Sequence, residues 1–364
     1  MDKSIKIRME ISGEANLPFL ENPKDWAGAA GTILAGDIGG TKTNLSLYSL
    51  KEAKLHPLFE KSFLTRDFET FSKLMASLSD EKLPHIDSMC LGVAGPVTGG
   101  KVVGTNFHWF LEEEKLKNEL NIPLVSLIND MEANAYGLAV LKDKDFRIIK
   151  EGEGYKGNAA LLSPGTGLGE AGMFWDGKTF HPFATEGGHC DFSPRDELDI
   201  NFLKFLQQEF GHHVSWERII SGPGILNIYK FLREYREVKE PKWFTKLMQE
   251  QDPAAVISQC AGEKRYPLCA EVMNLFQRYL AIETAQVALK FKATGGIYIG
   301  GGILPKIMGI FDSEKFNKDF LQMNRMNPLL EKMGIKVILN ENSPMYGAAF
   351  YAAKQFLNNQ NKPE

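Results

Sequence analysis

Alternation and helical spacing of apolar residues divide the 364-residue chain into successive α/β units. Residues 33–35 open the first strong strand. After the turn GDIGGTK, the residues TNLSLYSL alternate, with Leu45 and Leu47 on one face, which predicts a second strand. Phe68, Phe71, Met75 and Leu78 recur at helical spacing and predict one buried helix face. SMCLGVAGPV reads as a buried strand running into a Gly-Pro turn. LVSLINDMEANAYGLAVL reads as a strand to Ile128 and a helix from Met131, with Asn129-Asp130 at the junction. Carboxyl ends of strands in open α/β sheets are where ligand groups are usually placed.

The segment AALLSPGTGLGEAGMFWDG repeats the opening geometry: an apolar strand, a Gly-rich turn, another apolar stretch. Gly40-Thr41 and Gly165-Thr166 occupy equivalent places, 125 positions apart. Two Gly-Thr hairpins, each starting its own α/β unit, predict a duplicated core with one unit in each of two domains. Two such hairpins would grip a phosphate chain from both sides. RDELDINFLKFLQQEFG and YPLCAEVMNLFQRYLAIETAQVALKF are amphipathic helix candidates, and GGIYIGGGILPKI is a strand ending in three glycines. Ser343 as N-cap and Pro344 at the first helical position start a C-terminal helix. Length also favours two domains. The expected division is an extension over 1–30, a small α/β domain over 31–140 plus 341–364, and a large α/β domain over 141–340.

Composition narrows the ligand chemistry. Apolar residues are 43% and charged residues 24%, an ordinary soluble balance. The net charge of −4 gives no electrostatic footprint for nucleic acid or an anionic membrane. An anionic ligand must therefore be held by local backbone donors or a metal ion. The four cysteines, Cys90, Cys190, Cys260 and Cys269, contain no C-x-x-C pair. Reduced thiols in a cytoplasmic protein are the plain expectation, with neither a disulfide framework nor a zinc site. No apolar run approaches the ~18 residues that span a bilayer, and the charged N-terminus lacks a signal-peptide core.

GDIGGTKT nearly fits the P-loop pattern but has Thr41 where the second Gly belongs. A P-loop opens a helix after its Lys, whereas here a strand pattern follows, so a hairpin is expected. Glycine lets the backbone approach phosphate or a flat ring, and its N–H groups form an anion nest. Three Gly-rich turns follow strands, at 36–40, 165–169 and 300–302. Asp37 can hold Mg²⁺ through water beside the phosphates, or hydrogen-bond its own turn. Asp130 can accept an alcohol proton during phosphoryl transfer, or cap the following helix. Glu186, His189 and Glu217 stand on loops where they can accept hydrogen bonds from sugar hydroxyls. Each alone is equally readable as a solvated loop charge.

The ordered set GDIGGTKTNLSLY, LGVAGPVTGGKVVGTNFHW, LINDMEANAYGL, SPGTGLGEAGMF, TEGGHCDFSP, HVSWERIISGPGI and YIGGGILPK resembles bacterial glucokinases. These are ATP-dependent hexose kinases of the sugar kinase/actin/heat-shock ATPase superfamily. The resemblance covers roughly residues 33–356. It implies two ribonuclease-H-like (actin-like ATPase) α/β domains with a cleft between them that closes on glucose. By this resemblance Gly36, Asp37, Ile38, Gly39, Gly40 and Thr41 form the ATP phosphate hairpin, with Mg²⁺ at Asp37. Gly165, Thr166 and Gly167 form the second phosphate hairpin, and Gly300, Gly301 and Gly302 the turn near the adenosine. Asp130 is the base for the sugar 6-hydroxyl. Asn106, Asn129, Asp130, Glu186, His189 and Glu217 are the glucose-binding set. A homodimer is the implied assembly.

Two departures stand out. Lys42 occupies a position where relatives commonly have Asn, so its contact with phosphate is open. GGHCDFSPRDELD also offers only Cys190 where the repressor/kinase (ROK) family has a zinc-binding cysteine cluster. The rival expectations are a kinase of another hexose and a non-catalytic sugar sensor. Such sensors commonly carry a DNA-binding helical domain ahead of the kinase fold, and the 30-residue extension is too short for one.

Overall fold

The predicted strands assemble into two six-stranded sheets and a short ribbon. The computed structural model describes residues 9–10, 18–19, 26, 28–104, 107–154 and 156–360. They form two compact units. Unit 1 is Met1–Asp145, Met173–Ala184 and Asn340–Glu364; unit 2 is Phe146–Gly172 and Thr185–Leu339.

Unit 1 contains β1 (Met9–Glu10), β2 (Gly31–Ile38), β3 (Lys42–Lys51), β4 (Lys54–Leu64), β5 (Ser88–Val93), the ribbon β6 (Lys101–Val103) and β7 (Phe110–Glu112), and β8 (Leu124–Asn129). Its sheet order is β1-β4-β3-β2-β5-β8. β2, β3 and β4 run antiparallel, while β2, β5 and β8 run parallel. β5 is buried at every position, as expected for a central strand covered on both faces.

The second sheet repeats the plan. β9 (Phe146–Lys150), β10 (Ala159–Pro164), β11 (Leu168–Trp175), β12 (Phe180–Thr185), β13 (Gly296–Ile299) and β14 (Ile335–Ile338) are ordered β12-β11-β10-β13-β14-β9. β10, β13 and β14 are parallel. In both sheets three consecutive strands precede two parallel ones that return beside the first. The duplicated core read from the two Gly-Thr turns is therefore a duplicated topology.

Several local expectations change. The helix around Phe71 spans only Phe71–Ala76 and buries Phe71 and Leu74; Phe68 lies outside it and Met75 is half-buried. Thr70 caps it by accepting from the Lys73 amide, which fixes a later start than apolar spacing alone suggests. The C-terminal helix includes Ser343 itself, one position earlier than expected, and the Ser343 hydroxyl donates to the Asn134 carbonyl at 3.2 Å. The segment 173–184, expected in the large domain, belongs to unit 1. Its Phe180 packs against Phe19, and the Phe180 amide donates to the Pro18 carbonyl at 2.8 Å. Phe19 and Trp26 of the extension are 2% and 1% exposed, packed on Phe350 and, for Phe19, on Tyr136. Two large aromatic rings bury enough area to join these residues to the unit 1 core.

The helices Asp130–Gly137 and Ser343–Gln360 pack backbone to backbone. A Cβ at Gly137 would lie 2.2 Å from the Ser343 carbonyl oxygen, and one at Gly347 would lie 1.7 Å from that of Ala133. No described helix is long and apolar enough to cross a membrane. Gly347→Ala is expected to lower stability by about 1–3 kcal/mol through overpacking, read as a shifted urea midpoint. Gly309→Ala, where a Cβ meets nothing within 4 Å, serves as control.

Candidate active site

In unit 1 the parallel strands end level. Ile38 lies opposite Val93, and Val93 opposite Asn129. The Gly39-Gly40-Thr41 turn, the Ala94-Gly95 turn and Asn129-Asp130 therefore share one edge. The first and third are two strand spacings apart, roughly 10 Å.

The first turn joins two strands. The Gly39 amide donates to the Lys42 carbonyl at 2.9 Å, closing the hairpin. Thr65, buried after β4, latches it from below. Its amide donates to the Thr41 carbonyl at 3.0 Å and its hydroxyl to that of Gly39 at 2.8 Å. Thr65 is a support that sequence reading misses, since its partners lie more than twenty residues away. The Lys42 side chain is exposed and its backbone does the closing. Gly36 and Ile38 lie inside β2. A Cβ at Gly36 would come within 2.5 Å of Leu91 Cδ2, and Ile38 is in the core. Packing accounts for both positions.

Asp37 is half-buried opposite Asn44, whose Nδ2 donates to Asp37 Oδ2 at 3.5 Å. The Ser62 hydroxyl donates to Asn44 Oδ1 at 2.6 Å and sets that amide. Burial pushes the Asp37 carboxyl above its ordinary value, with the Asn44 contact opposing. A cation at this carboxylate would offset the desolvation.

The N-cap of the helix Asp130–Gly137 is Asn129, not Asp130. Asn129 Oδ1 accepts from the Met131 amide at 2.9 Å, and Nδ2 donates to the Gly95 carbonyl at 3.1 Å. Asp130 Oδ1 also accepts from the Met131 amide at 2.9 Å, but at the first helical position its half-buried carboxyl is not needed as the cap. Glu132 accepts from the Asn129 amide, which is the carboxylate half of a capping box. The signal N-x-x-E was present in NDME, and Glu132 is a supporting residue that it would have found.

Unit 2 assembles the other predicted residues. Gly165-Thr166-Gly167 turns between β10 and β11, with the Gly165 amide donating to the Gly167 carbonyl at 2.8 Å. A Cβ at Gly165 meets nothing within 4 Å, so the turn is open there. At Gly167 a Cβ would lie 2.4 Å from Glu217 Oε2, and that oxygen accepts from the Leu168 amide at 3.1 Å. Glu217 thus rests on the second hairpin. The Ser221 hydroxyl donates to the Glu217 carbonyl at 2.6 Å and caps the helix Gly222–Tyr235 at the Gly224 amide. An antiparallel bridge between Asp191 and Ser215 ties this loop to the Glu186–His189 turn. Glu186 and His189 are exposed, 3.8 Å apart.

Gly300, Gly301 and Gly302 follow β13. The Gly300 amide donates to the Leu162 carbonyl at 2.7 Å. Gly301 has φ +81°, and a Cβ there would strike the Pro164 carbonyl oxygen at 2.2 Å, so only glycine fits. Gly165, Thr166, Gly222, Gly302, Ile303 and Lys306 line a cavity of about 690 Å³, a size suited to a cofactor. Asn106 lies outside the described residues.

A family model described as glucokinase matches residues 34–355. The chain belongs to the glucokinase family. It is 36% identical over 338 residues to the glucokinase of Nostoc sp., covering 88% of this chain and 99% of that one. It is 34% identical over 353 residues to that of Synechocystis sp., covering 90% and 99%. The solved glucokinase from an Antarctic psychrotroph superimposes with a TM-score of 0.77 at 29% identity, covering 89% of this chain and 99% of that one. The duplicated sheets are those of the two-domain actin-like ATPase fold that glucokinases share.

In this member of the glucokinase family, Gly301→Ala should weaken nucleotide binding by about fivefold or more, since strain of ~1–3 kcal/mol falls next to Gly302 of the cavity wall. Titration with a fluorescent ATP analogue measures it. An unchanged Kd would remove this turn from the nucleotide site.

Proposed function

We propose that this chain transfers the γ-phosphoryl group of ATP to the 6-hydroxyl of glucose, with Asp130 as the base. The observation that carries the assignment of Asp130 is the level carboxyl edge of unit 1. It sets Asn129-Asp130 two strands from the Gly39–Thr41 turn. Glucokinase family membership over residues 34–355 supports the reaction class.

Asn129 takes the cap and leaves Asp130 to accept the sugar proton as the hydroxyl oxygen bonds to the γ-phosphorus. The bond to the bridging oxygen breaks and ADP departs. Glu186, His189 and Glu217 hold the sugar hydroxyls, so an analogue lacking one of them leaves a charged acceptor unpaired. The amides of the Gly39–Thr41 and Gly165–Gly167 turns take the phosphate oxygens.

Asp37 fits Mg²⁺: it is a hard oxygen donor, half-buried, with one long amide contact. Among the described residues no group of three or more His, Cys, Asp and Glu gathers as a metal site. Mg²⁺ at Asp37 would therefore take its other ligands from water and phosphate, as this ion usually does. When bound it supplies charge neutralisation on the phosphates.

Asp130→Ala is expected to leave the circular dichroism spectrum intact and to nearly abolish turnover in a coupled ADP-release assay. Retention of more than about a tenth of wild-type kcat, a loss under ~1.4 kcal/mol, would refute the base assignment. The same assay over a panel of hexoses should single out glucose; another preferred sugar would move the substrate assignment.

A further inference from the structure

Behind the Glu186–His189 turn, unit 2 buries two carboxyl groups against each other. Glu170 on β11 is 2% exposed, and Glu283 on the helix Pro267–Phe291 is 0% exposed. The two carboxyl groups are neighbours that act on each other in this dry site. Two carboxylates have no donor between them, so the contact requires a shared proton. Lys290 Nζ donates to Glu283 Oε1 at 3.4 Å, and Arg195 is the other cation whose charge reaches Glu283. Glu170 Oε1 and Glu283 Oε2 have no hydrogen-bond partner among the described residues. Buried acids of this kind are destabilising unless neutralised.

Glu170 touches the turn directly. A Cβ on Gly187 would lie 2.0 Å from Glu170 Oε2. The Glu170 carbonyl accepts from the Thr185 hydroxyl at 3.0 Å, and that hydroxyl accepts from the Gly187 amide at 3.3 Å. Two residues earlier on the same strand, the Leu168 carbonyl oxygen abuts Gly188, where a Cβ would stand 2.0 Å away. The Leu168 amide holds Glu217 at 3.1 Å. One short stretch of β11 thus supports both loops that carry the sugar-binding acids.

We propose that Glu170, sharing a proton with Glu283, is a positioning residue that seats Gly187 and so fixes Glu186 and His189 for the sugar. The inference rests on the assignment of Glu186 and His189 to sugar binding. Burial pushes both carboxyls above the usual carboxylate range; the charge of Glu170 adds to the effect on Glu283, and Lys290 opposes it at both. The pair titrates as one unit. Below the raised value the shared proton is held and the turn is seated. As pH rises through it, two like charges meet in a dry site with only Lys290 and Arg195 near. The turn itself adds Glu186 and His189, 3.8 Å apart. The pair then separates and the grip on sugar loosens.

The test is steady-state kinetics of wild type, E170Q, E170A and E186Q from about pH 6.5 to pH 9. In wild type KM for glucose should rise as pH climbs from about 7 to about 9, the direction that loss of the shared proton requires, while KM for ATP stays flat. E170A should raise KM for glucose throughout the range. E170Q, whose amide donates permanently to Glu283, should recover most of that loss and flatten the pH dependence. A flat wild-type profile, or E170Q showing the wild-type alkaline rise, overturns the proposal even if E170A does not fold. If E186Q leaves KM for glucose unchanged, the sugar-site assignment fails. If E186Q raises it and E170A does not, only the positioning role fails.

Discussion

The structure depends on parallel strands that end level. In unit 1 the register Ile38–Val93–Asn129 brings three turns to one edge, and in unit 2 the register Leu162–Ile299–Val337 brings the ends of three parallel strands within two residues of one another. A strand that stops leaves backbone amides without ladder partners, and short Gly-rich turns point such amides outward. A chain with net charge −4 has no broad cationic surface for a polyphosphate. The amides at level strand ends are the local donors that such a chain can offer an anion.

Close packing decides where glycine stands in these turns. Some glycines near the site are glycine because protein occupies the Cβ position: Leu91 at Gly36, Glu217 at Gly167, Pro164 at Gly301. Gly165 differs, since the space above it is open. The same motif thus mixes residues that hold the hairpin shape with residues that leave room for a ligand. The contact between Gly167 and Glu217 joins the turn after β10 to the loop that carries Glu217. Loops that are distant in sequence are thereby held in one arrangement.

Supporting residues carry much of the precision. Asn129 caps its helix and leaves Asp130 at the first helical position, with Glu132 accepting from the Asn129 amide. Thr65 latches the first hairpin through bonds to Gly39 and Thr41. Ser62 sets Asn44, which sets Asp37. Most of these links are ordinary hydrogen bonds, with the Asn44–Asp37 contact long at 3.5 Å, and their value is to remove alternative rotamers.

Alternation in TNLSLYSL, the apolar run SMCLGVAGPV and the repeated Gly-Thr turns were enough to determine the strands, the hairpins and the duplication. Those signals are local, because side-chain period and turn conformation are set within a few residues. The ordered motifs likewise identified the family, whose model matches residues 34–355. Tertiary structure decided the rest. It gave the cap to Asn129 through Gly95, over thirty residues away. It drew Phe19 and Trp26 into the unit 1 core through Phe350, and it buried Glu170 against Glu283. Those outcomes depend on which surfaces meet after the sheets form, and no periodicity along a single chain encodes that meeting.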